Sequence, residues 1–113
     1  MSVIPPVRSH AEPPVLTYTV TDLGTLGGVT SKAYGINNCG NVSGESLTPS
    51  GSFHPFFWNG STMIDLGTLG GSSGAAARLN NTNFVVGSAS TSLGEQRAFI
   101  WHDDNANNVA DAG

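Results

Sequence analysis

Apolar and polar side chains alternate along this chain in short runs broken by Gly, Asn and Ser, a pattern of β-strands and tight turns. Ala33, Tyr34 and Ile36 mark a strand over Ser31–Ile36, and Ala76, Ala77 and Leu79 mark its counterpart over Gly74–Leu79. Asn37-Asn38 and Asn80-Asn81 follow as turns, because Asn tolerates left-handed backbone and binds its own backbone amides. Asn41–Ser46 and Phe84–Ala89 come next, and their central Gly44 and Gly87 predict a bulge or the close approach of a neighbouring sheet. Pro55–Trp58 and Ala98–Trp101 are the most apolar strands, and Thr62–Leu66 is a fourth strand after the first of them. No segment sustains apolar residues at a 3.6-residue period, and the Gly-Gly and Asn-Asn pairs oppose helices of useful length.

These pairs of elements share one spacing. Asp22–Trp58 aligns without a gap on Asp65–Trp101 at an offset of 43, with 16 of 37 positions identical, seven of them in the shared run Asp-Leu-Gly-Thr-Leu-Gly-Gly. A period of 43 suits a four-stranded propeller blade, typically about 40–45 residues. The expected fold class is therefore all-β, with β-propeller-like four-stranded blades and two blades' worth in the chain. The β region is 17–101, and by this period its segments are 22–64 and 65–107, the second running on into the tail. An extended leader, 1–16, precedes it, and a polar Asn/Asp-rich tail, 102–113, follows.

Composition narrows the function classes. Fifteen Gly and six Pro among 113 residues demand many turns, and only 11% of the chain is charged, against about 25% in a typical globular domain. The polar surface is therefore Ser, Thr and Asn, as is common in secreted β proteins. The four basic residues, Arg8, Lys32, Arg78 and Arg97, are scattered through a chain of net charge -4. They form no stripe for a nucleic-acid backbone. No apolar run approaches the roughly 20 residues of a membrane-spanning helix. Met1–Pro14 carries four prolines and no apolar core, so it does not read as a signal peptide. The single Cys39 leaves no internal disulfide and reads as a small buried or half-buried side chain in a turn or, alternatively, as a reactive thiol.

The segments resemble the HAF-type extracellular repeat, a bacterial family named for a His-Ala-Phe motif. The likeness rests on Asp-Leu-Gly-Thr-Leu-Gly-Gly, the Ile-Asn-Asn and Leu-Asn-Asn turns, the Val-Val-Gly strand and Phe-Phe-Trp or Phe-Ile-Trp, over residues 18–101. The naming triplet departs from the motif, being His54-Pro55-Phe56 in one segment and Arg97-Ala98-Phe99 in the other. The resemblance implies propeller-like repeats and an extracellular or cell-surface location. It implies no reaction.

His54 and Arg97 occupy one position of the period, where they would line a ligand pocket or simply begin a solvated strand. Trp58 and Trp101 would stack on sugars, or pack in the core or between blades. Asp22 and Asp65 would bind a cation or sugar, or accept amide hydrogens in the glycine loop. The glycine loop carries no phosphate-binding Lys, and the three His and eight acidic residues share no spacing that would build a triad or dyad. Asp103, Asn105, Asn107 and Asp111 follow a calcium-loop spacing. Asn108 stands at the turn where Gly is usual, so the stretch reads as a flexible polar tail or, alternatively, as a calcium site, and no cofactor is required.

Tyr18–Leu23 duplicates the strand role of Thr62–Leu66, so the chain counts eight strands with the register split between its ends. Two blades close no ring, because propellers typically need four to eight. Three copies, or alternatively four, would close one head to tail, with Tyr18–Leu23 paired beside Ala98–Trp101 of a neighbour. The expected function is a non-catalytic self-assembling scaffold or a binding module for carbohydrate or a surface partner. A fragment of a longer secreted array is the alternative, and an enzyme is a distant third.

Overall fold

The computed structural model describes residues 17–103, in which seven antiparallel strands form two sheets and no helix occurs. The first sheet is a meander of β1 (Ser31–Ile36), β2 (Val42–Leu47), β3 (Phe53–Trp58) and β4 (Met63–Asp65), in that order. The second is a meander of β5 (Gly70–Leu79), β6 (Phe84–Thr91) and β7 (Gln96–His102). β1, β2 and β3 recur 43 residues later within β5, β6 and β7, and the last three run longer than alternation alone suggests. The expected eighth strand, Tyr18–Leu23, forms no ladder among the described residues, and Tyr18 and Val20 are 82% and 96% exposed. Its expected place is beside Ala98–Trp101 of a neighbouring copy, and in the single chain the outer edge of β7 has no partner among the described residues.

The turns recur because their side chains recur. After β1, Asn37 Oδ1 accepts the amides of Cys39 and Asn41 (both 3.0 Å); after β5, Asn80 Oδ1 accepts those of Thr82 (3.1 Å) and Phe84 (3.0 Å). Each turn needs one residue with positive φ, Gly40 (81°) in the first and Asn83 (66°) in the second. Asn is the non-glycine residue that bears this most readily. Cys39 is exposed in its turn, a correction to the buried or half-buried placement expected, because its own amide and that of Asn41 turn inward to Asn37 and leave the side chain outside.

Gly44 and Gly87 play the part their position predicts. β1 bulges between Ala33 and Gly35, opposite Gly44, and β5 bulges between Ala76 and Arg78, opposite Gly87. A Cβ on Gly44 would collide with the backbone of Lys32 and Ala33, and one on Gly87 with that of Ala75 and Ala76. The bulge and the glycine are two halves of one device, which bends the strand while keeping the ladder.

β5 lies against β1, β2 and β3 and carries most of the contact between the sheets. Phe57, Ala76 and Val85, each 0% exposed, form the core, ringed by Ile64, Leu66, Leu79, Phe99 and Trp101. The ring of Trp101 lies 5.1 Å from that of Phe57 at 41°, a tilted aromatic contact between the sheets.

Candidate functional site

The two segments meet most specifically at their asparagine turns. Asn37 Nδ2 donates to the carbonyl of Asn80 (3.0 Å) and to Asn83 Oδ1 (2.9 Å), and the Asn38 amide donates to Asn81 Oδ1 (2.8 Å). Two of these bonds join residues 43 apart, so the first turn stands on the second in register. The close approach depends on Gly35, where a Cβ would lie 3.2 Å from the Cα of Arg78. Reading the Asn pairs as local turns missed this ladder; its signal was that both pairs keep the same offset.

Beside the ladder, Tyr34 overlooks a shallow cleft of about 760 Å³ floored by small and apolar residues, among them Ala75, Ala77, Val86 and Ala98. Tyr34 is the extra residue of the β1 bulge, and its hydroxyl donates to Glu45 Oε2 at 2.6 Å. That bond favours the neutral phenol and raises the Tyr34 pKa above its ordinary value, with desolvation and the Glu45 charge adding to it. Sequence reasoning assigned neither residue a role, since their partnership depends on the β1–β2 register. The cleft offers apolar contact together with the Tyr34 phenol and the Arg78 side chain in its lining.

The candidate residues named from sequence fall in different places. His54 Nδ1 pairs with Asp65 at 3.0 Å across β3 and β4, whereas Arg97 pairs with Glu95 at 2.5 Å, in the turn that precedes its own strand. At the shared position each side chain therefore meets a different acid. Trp101 lies in the inter-sheet contact and Trp58 is half-buried. Asp22 and Asp65 accept the amides of Gly24 (2.9 Å) and Gly67 (2.8 Å), the turn geometry expected of them. Of the calcium-loop residues only Asp103 is described, and it is 2% exposed; Asn105, Asn107 and Asp111 lie outside the described residues. Among the described residues no three His, Cys, Asp or Glu gather as a metal site. No helix among them is long and apolar enough to cross a membrane. No family model, curated protein or solved structure matches this chain.

Proposed function

We propose that the chain is a non-catalytic β-repeat module that joins other copies of itself in a closed, propeller-like ring of three, or alternatively four, chains. One observation carries the reading: two halves of a strand pair stand apart in the chain, each without its complement. Among the described residues the outer edge of β7 is unpaired, and Val20–Asp22 is exposed and without a ladder. In the first sheet, β4 pairs Met63–Asp65 with Phe56–Trp58. Forty-three residues earlier stand Val20, Thr21 and Asp22, and the turn that ends β4 at Asp65–Gly67 is already formed at Asp22–Gly24. Val20–Asp22 of one chain thus fits beside Phe99–Trp101 of the next, covering an edge that would otherwise invite aggregation. The resemblance to HAF-type repeats supports an extracellular or cell-surface setting. Carbohydrate or a surface partner would bind on loops at one face of the ring, where repeat proteins carry their variable contacts.

Native mass spectrometry of the full chain tests the reading. Removing residues 1–23 takes away the strand and is expected to leave aggregated or unfolded material, while removing residues 1–14 leaves assembly intact. A folded, monodisperse monomer or a dimer from the full chain at micromolar concentration would refute it.

A further inference from the structure

Equivalent positions of the two segments are buried to very different extents, and the differences have a direction. In the first segment Phe57 is 0% exposed, Pro55 is buried and Ser43 is 0% exposed. Their counterparts in the second segment are Ile100 at 66%, Ala98 exposed and Val86 at 43%. The reverse holds for another set. Ala76 is 0% exposed and Leu79 packs on the core, whereas their first-segment counterparts Ala33 and Ile36 are exposed, Ile36 at 70%. These residues give each segment a leading side, covered in the first, and a trailing side, covered in the second; on the first segment's trailing side Phe56 is buried as well, while Ala33 and Ile36 are left exposed. The chain buries one leading side against one trailing side and leaves one of each open.

We infer that the leading side of the second segment, around Ile100, Val86 and Ala98, docks on the trailing side of the first segment of a second copy, around Ala33, Ile36 and Trp58. This inference rests on the self-assembly just proposed and names the faces that carry it. Ile100 takes the place of Phe57, and Trp58 takes that of Trp101. The polar ladder continues as well. Among the described residues Asn38 uses its amide but not its side-chain oxygen, and Asn80 Nδ2 and the Asn81 amide make no hydrogen bond. By the pattern of the internal ladder, Asn80 Nδ2 would donate to the Asn37 carbonyl of the second copy and the Asn81 amide to its Asn38 Oδ1. The contact joins unlike faces, so it is heterologous and propagates until a ring closes. At one point the match is looser: Arg78 stands where Gly35 does, so the faces part there by about the width of a Cβ.

The two interfaces separate by mutation. Ile100→Glu puts a charge on a residue already exposed in the single chain, so the fold stays intact by circular dichroism. The inter-chain dissociation constant rises by roughly a hundredfold or more, because a buried unpaired charge is costly. Asn38→Ala spares the internal ladder, which uses only its backbone amide, and weakens assembly about three- to tenfold, the worth of one hydrogen bond. Asn81→Ala removes an internal acceptor and destabilises the chain itself. Loss of assembly in Ile100→Glu, with weakening in Asn38→Ala, supports the inference. An oligomer that survives both substitutions but is lost on removing residues 1–23 overturns the face contact and keeps strand exchange. A full-length chain that is a folded monomer, or that is unfolded or aggregated, overturns both.

Discussion

At the scale of single residues the roles follow from what each side chain touches. Trp101 bridges the sheets by its contact with Phe57, so Trp101→Ala is expected to cost about 3–5 kcal/mol, the range of large aromatic truncations. Denaturant melts read that loss directly. A surface sugar platform would instead leave stability nearly unchanged. Tyr34 and Glu45 make a pH-dependent pair with a definite sign. The hydrogen bond raises the folded pKa of Tyr34 above its usual value of 10.0. Its contribution is therefore complete below that pH and disappears as pH climbs through the raised value. Glu45→Gln removes the charge that favours the neutral phenol. In a spectroscopic phenolate titration the Tyr34 midpoint should then fall back toward 10.0, and an unmoved midpoint would mean that Glu45 is not the cause.

At the scale of elements, equivalent residues do unequal work. Asn37 orders its own turn through Oδ1 and ties it to the second turn through Nδ2, with bonds to Asn80 and Asn83. Asn80 orders its own turn alone within the chain. At about 1 kcal/mol net for each hydrogen bond, Asn37→Ala should destabilise by about 1–3 kcal/mol more than Asn80→Ala. Equal losses in thermal or denaturant melts would show that the ladder between the turns contributes nothing. Gly87 sits opposite the β5 bulge, where an added methyl meets backbone that has no room to yield. Gly87→Ala should therefore cost about 1–3 kcal/mol through overpacking, even though the residue has no unusual φ.

At the scale of the whole molecule, the surfaces available for association are apolar or amide-rich. Four basic and eight acidic residues leave little for long-range attraction. The proposed assembly is therefore expected to keep its mass, about 35 kDa for three chains of 11.6 kDa, between low salt and 0.5 M salt, roughly. Exposed ion pairs would be screened over that range. Light scattering across the series checks this, and dissociation by salt would point to a contact made by charges instead.

Much of the architecture was legible in the residues themselves. Alternation placed the seven observed strands to within a few residues, because a half-buried strand writes its two faces into every second position. The glycines of the bulges and the asparagines of the turns could be placed as well, since each meets a local backbone demand that few other residues satisfy. The candidate sites were far less legible. His54 and Arg97 share a position in the period, yet one binds Asp65 and the other Glu95, because the partner depends on what the adjacent strand carries. The pairing of Tyr34 with Glu45 and the stacking of the asparagine turns needed the register of β1 on β2 and of one turn on the other. Alone, then, the sequence determined strands, turns and the 43-residue period, all of which are set by neighbours along the chain. Which sides of those strands are covered was decided only by the tertiary structure, because burial depends on which sheet lies against which.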